Sequence, residues 1–395
     1  MSRLVLKPGH VKPVWAGHPW VYAQAVARIE GPAAAGDVVA VEDAEGNVLG
    51  EGYYSPRSAI PVRLLTRGSD ERVAPGLLAE RIAAAAARRR ELLALPSTDS
   101  DGFRLVHAEG DGLPGLVVDA YGDTACAQLL TAGIKRREEE VYDALAALPG
   151  VARVVEVGSR DSERLEGFRS TTRTVRGSDT EALTFRERGI GWRIPLGLAQ
   201  KTGFYFDQRE NRGRVEALAA GRRVLDAYSY VGGFALAAAR GGARGVVAVD
   251  RSEAVLAAGR ENAAANGLTD LVEWRRGDAR RDLRRLAAAG ERFDLVVVDP
   301  PKLAPTARHL PAARRAYRQL DTAALGLVAA GGLLVTCSCS AAFGVEDLLR
   351  TLAAAGRRTG RRLAVLHVGQ QAPDHPTPPA FPEGRYLKCA FVAVD

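Results

Sequence analysis

The residues best equipped for chemistry lie in two short strings. Asp299-Pro300-Pro301-Lys302 follows the apolar run Phe293-Asp294-Leu295-Val296-Val297-Val298, and Thr336-Cys337-Ser338-Cys339-Ser340 closes another, Gly332-Leu333-Leu334-Val335. Two prolines cannot continue a strand ladder, so they stiffen the exit and hold the backbone around Asp299. A cysteine just past a strand end is a candidate nucleophile once its thiol ionises. Chemistry at carbon 5 of a cytosine is of this type. A thiolate adds to carbon 6, carbon 5 becomes enamine-like and takes up the new group, and loss of its proton with elimination of the thiol restores the ring. An acid beside ring nitrogen 3 must take up the developing charge, and Asp299 is the candidate. The base must leave its stack to be reached. Strand alternation puts Cys337 and Cys339 on one side, with Cys339 farther out. Cys339 is therefore the expected nucleophile, and Cys337 a buried packing residue.

Positioning such groups takes a rigid sheet. Apolar runs at 223–226, 245–250, 293–299 and 332–336 alternate with Ala-rich helical stretches such as 252–266. Near-continuous Val/Leu runs belong to parallel strands covered by helices on both faces, which predicts a doubly wound sheet. Ligands bind such sheets beyond the carboxyl ends of the strands. Three predicted strands end in a carboxylate there: Asp226, Asp250 and Asp299. The turn after the first, Ala227-Tyr228-Ser229-Tyr230-Val231-Gly232-Gly233-Phe234, lacks the Gly-x-Gly-x-x-Gly of a diphosphate binder. A looser turn suits a cofactor with a carboxylate and an amine in place of phosphates. Asp250, 24 residues after Asp226, is spaced to bond ribose hydroxyls, and Asp278 in Arg276-Gly277-Asp278-Ala279 to meet an adenine edge. Upstream, Asp207 is expected to N-cap a helix. Gln208 and Arg209 in its first turn suit the clamping of a cofactor carboxylate. This layout resembles the class I S-adenosylmethionine-dependent methyltransferases. The competing reading is a nicotinamide-dinucleotide sheet in which the acids are merely strand ends, and the missing phosphate fingerprint argues against it.

Residues 1–68 read as short strands between turns, a small β-barrel, and 69–178 as an α+β unit before the sheet domain at 179–395. The 395 residues carry 54 Lys and Arg against 47 Asp and Glu, a formal net charge of +7. That balance favours a polyanionic partner. Six of the cations are lysine, and a lysine kept in so arginine-rich a chain is one that arginine does not replace. Lys201 and Lys302 lie inside motifs. The segment Ala307–Arg318, with four arginines and Tyr317, could hold phosphates while Tyr317 stacks or packs; a solvated helix face is the alternative. The four cysteines show no Cys-x-x-Cys pair and no zinc spacing, so reduced thiols, no metal and a cytoplasmic location are expected. The first seven residues lack the apolar stretch of a signal peptide, and no apolar run reaches membrane-span length.

Several strings together resemble one family, the RlmI-like 23S ribosomal RNA 5-methylcytidine methyltransferases. They are His18-Pro19-Trp20-Val21-Tyr22 with Gly36-Asp37-Val38-Val39, then Asp111-Gly112-Leu113-Pro114-Gly115-Leu116-Val117-Val118-Asp119 and Arg164-Leu165-Glu166-Gly167. Gln200-Lys201-Thr202-Gly203-Phe204 with Asp207-Gln208-Arg209, Ser229-Tyr230-Val231-Gly232-Gly233-Phe234, Asp299-Pro300-Pro301-Lys302 and Phe381-Pro382-Glu383-Gly384-Arg385-Tyr386-Leu387-Lys388 complete the set. The resemblance implies an α/β chain whose Rossmann-like doubly wound methyltransferase domain follows a PUA-like β-barrel and a central α+β domain. It implies S-adenosylmethionine as cofactor, Cys339 and Asp299 as catalytic residues and no metal. The implied cofactor site is Lys201, Phe204, Gln208, Arg209, Asp226, Tyr228, Tyr230, Gly232, Asp250, Ser252, Asp278 and Asp299. The implied partner is 23S ribosomal RNA, free or in a ribosomal particle, with a homodimer left open. Two other classes stay in view: nitrogen methylation of guanine, as in a relative that shares Asp-Gln-Arg but lacks the cysteine, and RNA binding without catalysis.

Overall fold

A computed structural model describes residues 2–199 and 201–395; Gln200, which opens the Gln-Lys-Thr-Gly string, lies outside them. The chain forms two compact units, one of Met1–Arg186, Ala199–Phe204 and Pro373–Gly384, the other of Glu187–Leu198, Tyr205–Ala372 and Arg385–Asp395.

The first unit opens with a six-stranded sheet built from 2–6, 20–21, 26–30, 38–42, 48–54 and 62–64. Its hairpin at 43–47 is closed by Asp43, whose carboxylate accepts the backbone N–H of Glu45 at 3.0 Å and of Asn47 at 2.8 Å, the local bonding that makes Asp a turn residue. Leu4, Leu6, Val39, Val41 and Val62 fill the core of this sheet. A five-stranded sheet follows, made of 102–107, 116–121, 124–129, 153–156 and 173–176. Helix Leu77–Leu93 buries Leu78, Ile82, Ala85 and Arg89, a stripe at helical spacing. Arg89 forks onto Asp111 at 2.6 and 2.8 Å, and Arg104 reaches Asp119 at 2.5 Å. The acids of the Asp111–Asp119 string are thus members of buried ion pairs, whose removal one partner at a time would strand a charge.

The second unit is a seven-stranded sheet. Its strands are β1 (Arg223–Ala227), β2 (Gly245–Asp250), β3 (Val272–Arg276), β4 (Phe293–Val298), β5 (Val328–Ser338), β6 (Leu363–Gly369) and β7 (Lys388–Val394). The spatial order is β3-β2-β1-β4-β5-β7-β6. β1 to β5 run parallel and β7 antiparallel to its neighbours. The order reverses between β1 and β4, so the carboxyl ends of those strands flank the crevice where such sheets bind ligands. Val296, Val298, Leu325 and Val392 are among the residues of its core.

Helix Leu310–Leu325 follows the cationic loop and buries Ala313, Tyr317, Leu320 and Asp321. Tyr317 is fully buried, stacked on Phe343 at 4.4 Å, with its hydroxyl donating to Ser338 Oγ at 2.9 Å. Of the two fates the sequence left open for it, the structure takes packing: the helical period turns Tyr317 to the core while Arg314, Arg315 and Arg318 stay exposed. Tyr317→Phe is expected to destabilise the second unit by about 0.5–1.5 kcal/mol, one net buried hydrogen bond, and Tyr317→Ala by about 3–5 kcal/mol, an emptied aromatic site. Urea unfolding followed by tyrosine and tryptophan fluorescence measures both.

Candidate active site

All the predicted site residues but two belong to the second unit. Asp226 is buried in β1, and its Oδ2 accepts the backbone N–H of Ala235 at 2.9 Å, in the first turn of helix Gly233–Arg240. Its Oδ1 is buried with no hydrogen-bond partner among the described residues. Burial, reinforced by the negative charges of Asp299 and Asp250, pushes the Asp226 carboxyl up to about 8. A buried carboxylate left this way is a site for a cation.

The turn after β1 bends sharply. Tyr228, Tyr230 and Gly232 all adopt left-handed backbone, with φ of 67°, 51° and 90°. For the two tyrosines this costs about 1–3 kcal/mol each, strain of the kind that gathers at functional sites. Gly232 is required twice over, because a Cβ there would also lie 2.4 Å from the ring of Trp274. The bend aims the Tyr230 N–H at Asp250 Oδ2, at 3.0 Å, while the N–H of Ser252 meets Asp250 Oδ1, also at 3.0 Å. Both oxygens of Asp250 are thereby oriented and keep a lone pair each for ligand hydroxyls. The Tyr230 hydroxyl donates to the carbonyl of Leu198 at 3.0 Å. Asp278 is exposed, and one of its oxygens caps helix Ala279–Ala288 by accepting the N–H of Arg281 at 3.0 Å; the other remains for a ligand.

Asp299 follows β4 directly. Its Oδ2 accepts from Gln208 Nε2 at 3.1 Å, and Gln208 Oε1 in turn accepts from Asn211 Nδ2 at 2.7 Å. Gln208 therefore steadies Asp299. Asn211, which the sequence reading did not single out, steadies Gln208 from one turn along helix Arg209–Leu218. Arg209 is buried at the start of that helix. The expected cap is corrected: the N-cap is Gln208, and Asp207 sits in a preceding 3₁₀ turn. The Asp207 carboxylate accepts the Tyr386 hydroxyl at 2.8 Å, a tertiary bond that draws it away from the helix end.

Cys339 lies one residue beyond β5 and is partly exposed, whereas Cys126, Cys337 and Cys389 are buried. Cys337 faces Cys389 across the β5–β7 ladder, sulfur to sulfur at 3.0 Å. Burial, with Cys389 and Asp299 nearby, holds its thiol well above the ordinary range, as suits an inert packing residue. Tyr205, also missed by the sequence reading, lies within electrostatic reach of Asp299 and Cys339, and its ring meets Tyr230 edge-on at 5.8 Å.

Lys201 and Phe204 belong to the first unit. Lys201 is exposed in left-handed backbone. Phe204 is buried against Phe185, its N–H donating to the Tyr121 hydroxyl at 2.7 Å. Among the described residues no cluster of three or more His, Cys, Asp or Glu could hold a metal ion, and no helix is long and apolar enough to cross a membrane.

The orphaned oxygen of Asp226 and the oriented carboxylate of Asp250 fit a cofactor that brings a cation and vicinal hydroxyls, as S-adenosylmethionine does. Comparison with known proteins agrees. The pattern of a family described as S-adenosylmethionine-dependent methyltransferase matches residues 158–384, and that of a PUA-like domain matches residues 4–67. A ribosomal RNA large subunit methyltransferase I from Alteromonas mediterranea is 35% identical over 388 residues, 98% of this chain and 97% of that one. One from Erwinia tasmaniensis is 35% identical over 98% of each chain. A solved methyltransferase structure complexed with SAH covers 100% of both chains at 19% identity with a TM-score of 0.86, a likeness of fold. Fold, site and family pattern define an S-adenosylmethionine-dependent methyltransferase with a PUA-like N-terminal domain. The chain belongs to the family of the ribosomal RNA large subunit methyltransferase I proteins.

Asp226 makes a measurable demand on stability. Unfolded, its carboxyl ionises near the ordinary value of about 3.9; folded and without cofactor it keeps its proton up to about 8. The folded state thus binds the extra proton, and this group's stabilising contribution, full below pH 4, is lost as pH rises, at about 1.4 kcal/mol per unit, until pH 8. Asp226→Asn should remove that dependence, so the variant gains on the parent in thermal melts between pH 5 and pH 8. A parent-minus-variant difference that stays flat over this range would contradict the assignment.

Proposed function

We propose that this protein forms 5-methylcytidine in 23S ribosomal RNA of the cytoplasm, with Cys339 as nucleophile and Asp299 as the acid at ring nitrogen 3. The observation that carries the reading is the placement of one partly exposed thiol at the end of β5, next to the strand that delivers Asp299, while the other three cysteines are buried. The names of the curated relatives support ribosomal RNA as the substrate. Residues 1–68, where the PUA-like pattern falls, are assigned to holding the RNA and 179–395 to the chemistry.

In the bound state Asp226, Asp250, Ser252, Asp278, the Tyr228–Gly232 turn and Arg209 would hold the cofactor. S-adenosylmethionine would supply an electrophilic methyl group on a sulfonium, with a neutral thioether as its leaving group. The Cys339 thiolate forms a bond to carbon 6 of the flipped cytosine, and the displaced π pair is relieved at nitrogen 3 by a proton from Asp299. Carbon 5, now enamine-like, takes the methyl. Its proton then passes to water, the pair left behind restores the 5,6 double bond, Cys339 leaves as thiolate, and nitrogen 3 returns its proton to Asp299. Gln208, held by Asn211, keeps Asp299 in place through this cycle.

Cys339→Ala should abolish methyl transfer while S-adenosylmethionine still binds, and Cys337→Ala should keep substantial activity. RNA carrying 5-fluorocytidine should trap a covalent adduct in the parent, because the final proton cannot leave, and none in Cys339→Ala. Normal methylation by Cys339→Ala would overturn the assignment in favour of nitrogen methylation, which nucleoside analysis identifies. Asp250→Ala should weaken S-adenosylmethionine binding by about 1–3 kcal/mol in calorimetry, the scale of unpaired polar groups in a buried site.

Arg314, though exposed, is ion-paired with Asp347 at 2.7 Å, so Arg308, Arg315 and Arg318 are the cations of the loop and helix assigned to RNA phosphates. Replacing Arg315 and Arg318 by Ala should flatten the plot of log affinity against log salt by about 0.7 per lost contact to single-stranded RNA. An unchanged slope would leave this face merely solvated.

A further inference from the structure

β7 brings one more group to the nucleophile's end of the sheet. Lys388 opens that strand, pairs with Ser338 in the β5–β7 ladder and is 3% exposed. An ammonium is expensive to bury. Here it is clamped, donating to the carbonyl of Ser340 at 2.7 Å and to that of Tyr386 at 2.8 Å. Ser338 and Ser340 flank Cys339, so the lysine is tied to both sides of the residue proposed as nucleophile. Two of the three ammonium hydrogens are used on neutral carbonyls, which leaves a net positive charge and a third donor.

The charged and titratable groups facing this pair come from several elements. Acting on Lys388 are Cys339 itself, Asp347 of helix Val345–Thr359 and the cation Lys302 after β4. Asp347 already pairs with Arg314. Within reach of Cys339 are the hydroxyls of Tyr205 and Tyr317, which Asp299 also reaches and which are both held in the neutral form, chiefly by burial. Of these groups Lys388 favours ionisation of the thiol.

We propose that Lys388 is the counter-ion of the Cys339 thiolate: its clamped ammonium keeps the nucleophile ionised near neutral pH, and its bond to Ser340 fixes the chain that carries it. This rests on the reading of Cys339 as nucleophile and adds the residue that activates it. Lys388 acts through Cys339, as a positioning residue. The only bond that changes is S–H, whose proton goes to solvent. The coupling is reciprocal: burial draws the ammonium down to about 8, and the charge of Cys339 lifts it, so by linkage the ammonium stabilises the thiolate. It also explains why this position is one of six lysines in a chain whose cations are otherwise arginine: a compact ammonium fits between two carbonyls where a planar fork does not.

The test is alkylation of Cys339 in the full-length protein by iodoacetamide from pH 5.5 to 9.5, read at that residue by mass spectrometry. In the parent the rate should inflect below the ordinary thiol value of about 8.5. In Lys388→Gln, which keeps amide hydrogens for the carbonyls, the inflection should rise by about one unit and the rate at pH 7 fall about tenfold. S-adenosylmethionine binding should be unchanged, and Lys388→Arg should recover part of the rate. Methylation by Lys388→Gln should lose kcat about tenfold at pH 7, regain it as pH rises and keep its KM for S-adenosylmethionine. An unchanged alkylation profile in folded Lys388→Gln overturns the proposal. If that variant does not fold, the parent profile decides: an inflection below about 8.5 supports the proposal, and one at or above it overturns it. The alkylation experiment contains no RNA, so it and the Cys339→Ala methylation assay can fail independently.

Discussion

The antiparallel pairing of β7 against β5 is the interaction on which the geometry of the site depends. β1 to β5 pair in parallel, each joined to the next by a covering connection. β7 instead runs back along β5 through an unbroken register from Gly332 opposite Val394 to Ser338 opposite Lys388. That ladder holds β5 to its last residue, so that Cys339 is the first position released from it. On the other edge, Val298 of β4 lies opposite Thr336, so Asp299 leaves its strand at the level of Cys337, two residues short of Cys339. Thiol and carboxylate are placed by strand register, which side-chain motion cannot blur.

Rigid strands bring a second constraint, the burial of polar groups at their ends. Thr336 donates to Asp321 at 2.8 Å, and Tyr317 to Ser338, so β5 is pinned by hydrogen bonds where it nears the site. The carboxyl of Asp321 is pushed up to about 7 by burial, as that of Asp226 is to about 8. The two are not equivalent. Asp321 lies behind the strand with a hydroxyl donor, whereas Asp226 sits at the crevice beside Asp250 and Asp299. Without cofactor its burial is a destabilising feature, and this is the pattern by which sites conflict locally with stability.

The doubly wound sheet and the acids at its carboxyl ends were legible because continuous apolar runs and their spacing are local signals. What sequence could not show was partner choice. Thr131 caps a separate turn over Ala132–Lys135, and the helix that follows runs from Glu138 to Ala146. Asp207 looks like a cap until Tyr386, 179 positions along the chain, is seen to donate to it. The amide of Gln208 looked available to a ligand and is held by Asp299 and Asn211 instead. Lys388 stood out only as one of six lysines and as the end of the Phe381–Lys388 string, and neither tied it to Cys339. Its proximity to Cys339 arises from a pairing that no local pattern encodes.

These placements give the sheet a polarity of charge that matches the chemistry proposed for it. Along the order β3-β2-β1-β4-β5-β7-β6, the carboxylates of Asp250, Asp226 and Asp299 occupy three adjacent strand ends, and the buried ammonium of Lys388 stands two strands farther on. A cationic cofactor is favoured on the first side, where it relieves like-charge repulsion. A thiolate is favoured on the second, where the carboxylates would otherwise suppress it. Were acids and lysine mixed at one strand end, they would neutralise one another as an ordinary ion pair and do neither. Separation by β5 keeps both fields in use, and on the proposed reading a base held between them would have the methyl donor on the side of Asp226 and the nucleophile on the side of Lys388.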